Sequence, residues 1–183
     1  MPKLLPIRLY GDAILREKLT EADVYDPALQ ALIPDFIYTM YERDGVGLAA
    51  NQIGSRFRMF VIDPYWSRED SQPDPVVMIN PVIETREGEI AHEEGCISVP
   101  GIFADVHRAA KITYSYTDTL GVRHSDSAEG FEAIVIQHEY DHLDGILFID
   151  KISTLNKLKA KRKLKDIAST AVNGSNVREG LPE

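Results

Sequence analysis

The sequence predicts an α+β protein. Two helical patterns bracket a middle region of short strand-like runs, and a third, basic helical pattern follows near the end. At 183 residues, 44% of them hydrophobic, the chain suits one domain spanning 1–183 with a single sizeable core. No internal repeat or low-complexity segment divides it.

Taken in order, Asp26-Pro27 reads as an N-cap followed by proline at the first helical position. Leu29, Leu32, Ile33, Phe36, Ile37 and Met40 then recur with helical period. Pro34 removes one backbone donor inside this pattern and predicts a kink or a late start. The segment from Asp44 to Gly54 follows. Its G-x-G-x-x-A spacing could be mistaken for a dinucleotide loop, but that fingerprint follows a strand and opens a helix, whereas this one follows a helix. Gly45 and Gly47 would let a ligand's backbone approach closely, and Gln52 offers an amide donor for a developing oxyanion. A helix-to-strand turn with an incidental glutamine accounts for the same residues.

Strand-like runs cover residues 57–62, 76–80, 83–92 and 111–117; in the last, Ile112, Tyr114 and Tyr116 alternate with polar neighbours. Together they predict antiparallel sheets. Residues 63–75 carry three prolines and several charges and read as an exposed loop, in which Trp66 is expected to pack locally. Beyond them, Cys96 is flanked by Gly95 and by a Ser-x-Pro-Gly turn, so its sulfur could be presented from a tight bend.

The richest stretch is Gln137-His138-Glu139-Tyr140-Asp141-His142, an H-E-x-x-H pattern. Phe131, Ile134, Val135, His138 and His142 fall on one helical stripe, and Gly145 supplies a stop. On that helix the two imidazoles lie about one turn apart and can share a divalent metal, while Glu139 stands beside it as a proton acceptor and donor. Two core histidines with satisfied hydrogen bonds are the plainer explanation, but the intervening carboxylate makes packing a poor account. A catalytic site of this kind usually takes three protein ligands. Phe148 stands where one peptidase pattern has its third histidine, and residues 151–165 contain no acid, so the remaining ligand is expected upstream. Cys96 is one candidate, a thiolate being a good ligand for zinc or ferrous iron; His92, His107 and His124 compete with it.

Charge is unevenly divided. Residues 1–150 hold 12 Lys and Arg against 26 Asp and Glu, while 151–183 hold 8 against 3. An acidic body argues against sequence-specific nucleic-acid binding, and the basic tail offers a contact for an anionic partner. No apolar run is long enough to span a bilayer, no signal peptide is evident, and the lone cysteine forms no internal disulfide; a cytoplasmic protein without membrane association is expected.

Three segments now stand in order: Gly45-Val46-Gly47-Leu48-Ala49-Ala50-Asn51-Gln52, Glu94-Gly95-Cys96-Ile97-Ser98, and the histidine motif. As a set they closely resemble the peptide deformylase family, and the resemblance extends from the helix before Gly45 to the basic C-terminal helix. It implies antiparallel or mixed β-sheets surrounding a central metal-binding helix. It implies a bacterial-type enzyme that hydrolyses the N-formyl group from the N-terminal formylmethionine of nascent polypeptides and releases formate. Cys96, His138 and His142 would hold one ion per chain, Fe²⁺, with Zn²⁺, Ni²⁺ or Co²⁺ as substitutes. Glu139 would be the acid/base, and Gln52 with the backbone N–H of Ile97 would stabilise the oxyanion. Leucine is usual in place of Ile97, a change that a backbone donor should survive.

On the same reading, Val46, Phe131, Ile134 and Val135 would form an apolar pocket for the methionine side chain, with Gly45, Gly47 and Gly95 also contacting substrate. Ser153 would cap a basic helix over 151–172 that contains Lys157, Lys159, Lys161, Arg162, Lys163 and Lys165. Such a run is usually a solvated face; the resemblance makes the ribosome a candidate target, and residues 173–183 read as a frayed end. Two other functions fit parts of the sequence. A peptidase cutting internal bonds is disfavoured by the missing downstream ligand, and a non-catalytic metal-stabilised module has no use for Glu139.

Overall fold

A computed structural model describes residues 1–180. In chain order the elements are β1 (Ile7–Arg8), α1 (Pro27–Glu42), β2 (Gly47–Ala49), β3 (Met59–Ile62), β4 (Val76–Glu87), β5 (Ile90–Cys96) and β6 (Val99–Arg108). There follow β7 (Lys111–Thr117), β8 (Arg123–Glu129), α2 (Gly130–Leu143), α3 (Phe148–Lys151), α4 (Thr154–Ser169) and β9 (Val177–Arg178). Five strands form one sheet in the order β2-β3-β4-β7-β8, β5 and β6 form a separate hairpin, and β1 pairs with β9. Every ladder is antiparallel.

The start of α1 follows its sequence signal: the Asp26 carboxylate accepts from the Ala28 N–H at 2.8 Å, and Pro27 occupies the first turn, where its missing donor costs nothing. The late start expected from Pro34 does not occur. Leu29, Phe36 and Met40 are fully buried along the helix, and that packing outweighs one lost backbone hydrogen bond.

Several strands depart from expectation. Residues 76–80 and 83–92 do not form two separate strands, because β4 runs on past Pro81. A register shift between Ile79 and Val82, with Asn80 at φ 51°, absorbs the proline; the chain then turns at Gly88 into β5. The Ser-x-Pro-Gly turn is also displaced: Cys96 pairs with Val99, so Ile97-Ser98 makes the tight turn and Pro100-Gly101 lie within β6. A two-stranded hairpin leaves outer edges on which a residue without an N–H is tolerated. The expected frayed end is instead structured over 173–180. The Asn176 side chain donates to the carbonyls of Tyr10 and Ile167, both at 2.8 Å, and sets Val177 and Arg178 against β1. Residues 181–183 of that tail lie outside the described residues.

Helix α2 occupies the middle of the fold. Ala133, Ile134, Val135, Ile136 and Gln137 are consecutive and all buried, so the helix is covered beyond the single stripe its sequence suggests. One core joins α1, the five-stranded sheet and α2 through Phe36, Met40, Phe60, Ile112, Val135 and Ile136. A second joins the hairpin to α3 and α4 through Val99, Val106, Phe148, Ile149 and Ala160. At the end of α2, Arg58 donates to the Leu143 carbonyl at 3.1 Å and to the Asp144 carboxylate at 2.9 Å. Gly145 then turns the chain at φ +72°, where a Cβ would lie 2.5 Å from the Arg16 carbonyl oxygen. Among the described residues, no helix is long and apolar enough to cross a membrane.

Candidate metal centre and active site

The four-residue step on α2 sets His138 and His142 edge to face with ring centroids 5.0 Å apart. The β5–β6 turn brings Cys96 to the same place, with Sγ 3.4 Å from His142 Nε2. Ligand atoms of Cys96, His138 and His142 all lie within 4.8 Å of one another. None of the competing histidines joins the cluster: His107 contacts Glu89 at 2.9 Å, His124 contacts Asp118 at 2.7 Å, and His92 packs edge-on to Phe131 at 5.5 Å on the cavity wall.

Behind the cluster is a buried charge network that the motifs did not reveal. Glu94 Oε2 sits 2.8 Å from His138 Nδ1, which leaves Nε2 as the ring nitrogen free for the cluster. Arg108 spans two acids, donating from Nη2 to Glu94 Oε2 at 2.8 Å and from Nη1 to Asp141 Oδ2 at 2.7 Å. Burial alone would raise the Glu94 carboxyl, but the hydrogen bonds from Arg108 and His138 outweigh it and hold that group down at about 2. Burial keeps His142 well below the ordinary histidine value and therefore neutral. Burial also pushes the Glu139 carboxyl up to about 7, and its Oε2 has no partner among the described residues.

A cavity of about 510 Å³ opens over the cluster. Gly45, Val46 and Gly47 line one part of it, Gln52, Gly95, Cys96 and Ile97 another, and Phe131, Ile134, Val135, His138 and Glu139 the side formed by α2. His142 is 1% exposed and does not reach the cavity wall. Gln52 is fixed at both ends of its amide: Oε1 accepts from the Ala49 N–H at 2.8 Å, and Nε2 lies 3.2 Å from Ser98 Oγ and 3.3 Å from Cys96 Sγ. A Cβ on Gly47 would lie 2.6 Å from Glu139 Oε1, so only glycine lets β2 pass this close to the carboxylate. Trp66 packs locally as expected, edge-on to Tyr41 at 5.3 Å, while its Nε1–H donates to the Gly45 carbonyl at 2.9 Å.

One sulfur and two imidazoles make a donor set that fits a transition metal with a coordination position left for a reactant. The carboxyl-to-histidine contact behind it is the orienting interaction such a ligand uses. The unpartnered Glu139 oxygen stands where a proton would be moved.

A family model described as polypeptide deformylase matches residues 4–158. The chain belongs to that family. It is 47% identical over 164 residues to peptide deformylase 2 of Xanthomonas campestris pv. campestris, covering 88% of this chain and 94% of the relative. The crystal structure of a peptide deformylase from Legionella pneumophila superposes with a TM-score of 0.81 at 40% identity, over 90% of this chain and 95% of that one. The enzyme from Thermus thermophilus gives 0.83 at 39%, over 92% and 100%. As a deformylase the chain is a metallohydrolase that removes the N-formyl group from nascent peptides, and the family implies a catalytic metal ion.

Sequence motifs pointed to Cys96, both histidines, Glu139 and Gln52, and these converge in the structure. They assigned no role to Glu94, Arg108, Asp141 or Ser98, although Glu94, Ser98 and Asp141 lie within the quoted segments. For Glu94 a signal was present, since it directly precedes the Gly-Cys pair, but an acid beside another acid in an acidic chain reads as surface.

Proposed function

We propose that the described chain works as one catalytic domain in which Cys96, His138 and His142 hold a single Fe²⁺, with Zn²⁺, Ni²⁺ or Co²⁺ able to replace it. The observation that carries this reading is the convergence of those three ligand atoms within 4.8 Å beneath a cavity into which Glu139 faces. Held by one thiolate and two neutral imidazoles, such an ion would keep a net charge of about +1 and would supply Lewis acidity toward the formyl carbonyl and water. Glu139 takes a proton from the attacking water and delivers it to the departing amine; a carboxyl raised to about 7 suits both steps. The Gln52 amide, held by Ser98 at Nε2 and by the Ala49 N–H at Oε1, and the Ile97 N–H receive the negative charge that develops on the formyl oxygen.

The peptide would lie beside Gly45, Val46 and Gly47 as an added strand, with Gly95 on the opposite wall. Val46, Phe131, Ile134 and Val135 would take the methionine side chain. Backbone pairing tolerates many sequences, as an enzyme acting on nascent chains in the cytoplasm requires. The reading is tested by formate release from formyl-Met-Ala-Ser with anaerobically purified protein. Glu139→Gln should keep the metal and lose turnover; equal turnover in both proteins would remove Glu139 from the chemistry.

We also propose that α4 docks on the ribosome. Its basic residues are exposed, but two have internal roles: Lys157 donates to the Asp150 carbonyl at 2.8 Å and Lys163 to that of Gly101 at 2.7 Å. Lys159, Lys161, Arg162 and Lys165 are left to meet phosphate, so co-sedimentation should weaken steeply with salt, and salt-independent binding would count against this contact.

A further inference from the structure

The C-terminal ribbon lies past residue 158, where the family match ends, yet it reaches the catalytic cavity. Strand β9 pairs with β1 in a register that sets Arg178 opposite Ile7, and both residues line that cavity. The ribbon is anchored from two directions. Asn176 ties it to Tyr10, Ile167 and Asp12, while Arg43, at the end of α1, donates to the carbonyls of Leu5, Glu179 and Gly180. Arg43 also lines the cavity and is 7% exposed, and its Nε has no partner among the described residues.

Charge at this end of the cavity is unbalanced. Among the described residues, no carboxylate lies within 4 Å of the Arg178 guanidinium. Burial and the nearby charge of Arg178 both drive Arg43 down from its ordinary value, so the two cations repel each other. Asp44 and Glu93 line the same cavity with one negative charge each, but both stay exposed and neither makes an ion pair with either arginine. An incoming carboxylate would relieve the repulsion.

The direction of the substrate strand decides which residue would bring that carboxylate. Gly47 abuts Glu139, so the formylated residue lies beside Gly47. With a rise of about 3.3 Å per residue, the third residue of a paired peptide comes level with Gly45, next to Asp44 and Arg43. Building on the proposed strand pairing at Gly45–Gly47, we infer that Arg178 is a specificity-determining residue, which selects formylated peptides carrying an acidic side chain at the third position.

The test compares kcat/KM for formyl-Met-Ala-Glu-amide, formyl-Met-Ala-Lys-amide and formyl-Met-Ala-Ser-amide; amidation removes the terminal carboxylate as a competing anion. At low salt the wild-type enzyme should favour the Glu peptide over the Lys peptide by about threefold to tenfold, mainly through KM, and 0.5 M salt should shrink the ratio. Arg178→Gln should bring the ratio to about one, and Arg178→Glu should invert it, an outcome that only a folded enzyme can give. A wild-type ratio near one at low salt, or a ratio unchanged in Arg178→Gln, overturns the inference. Absence of formate from all three peptides would instead overturn the proposed site on which it rests.

Discussion

Glu94 and His138 are joined through Oε2 and Nδ1 at 2.8 Å, so the rotation of one candidate metal ligand is set by a carboxylate on a different element, β5. Removing that carboxylate frees the ring and strips Arg108, whose side chain is 2% exposed, of one of its two acids. Glu94→Ala should lower metal affinity by about 10- to 100-fold. It should also destabilise the fold by about 3 kcal/mol, because a buried cation loses a partner. Glu94→Gln keeps an acceptor for Nδ1 and should lose less metal. Chelator competition and thermal melting check both quantities, and an unchanged affinity in Glu94→Ala would show that packing alone orients His138.

Gly47→Ala tests the closeness of β2 to the general base. The new methyl would meet Glu139 Oε1 at 2.6 Å and Cγ at 2.8 Å, and the carboxylate would have to swing away. Activity should fall by about 100-fold, as expected when a reacting group is displaced by about an ångström, while the melting temperature changes little. Wild-type turnover in this variant would mean that Glu139 works from another position.

Val46 lines the cavity, packs against the main core and is offered as part of the methionine pocket. Val46→Trp fills that space. KM for formyl-Met-Ala-Ser should rise by at least about tenfold, with a smaller change in kcat. An unchanged KM would remove Val46 from the pocket.

What could be read in advance divides by physical type. The helix at Asp26-Pro27 and the helix carrying both histidines were legible because a cap or a period marks them. Cys96 became legible only once the histidine motif required a third ligand. Strand β8, Arg-His-Ser-Asp-Ser-Ala-Glu, was not legible: it is an edge strand with Ala128 as its one buried residue, so it carries no apolar alternation. Strand β6 does alternate, with Ile102, Ala104, Val106 and Arg108 inward, but its opening Pro100-Gly101 reads as a turn. Glu94, Arg108 and Asp141 were hidden for a different reason: a buried charge and a surface charge are spelled with the same residue, and only the fold shows which carboxylates share a guanidinium.

The segment that follows the histidine helix gives a pH dependence of defined sign. Arg16 grips Asp150 with two donors, at 2.6 and 3.1 Å, and the Leu147 N–H donates to the same carboxylate at 2.9 Å. Burial opposes the charge, but the Arg16 hydrogen bond and the Leu147 donor outweigh it and hold the Asp150 carboxyl below its ordinary value of 3.8. A carboxyl lowered on folding contributes stability that is complete above the unfolded value and is lost as pH falls through the folded one. Both side chains are about two-fifths exposed, which limits the contribution to less than about 1 kcal/mol, or a few degrees of melting temperature. The wild-type protein should therefore melt above Asp150→Asn by a constant margin from pH 8 to pH 5, and the margin should close below about pH 4. A margin that closes between pH 8 and pH 6 would assign the effect to a histidine, and one that widens with acid would reverse the sign given to Asp150.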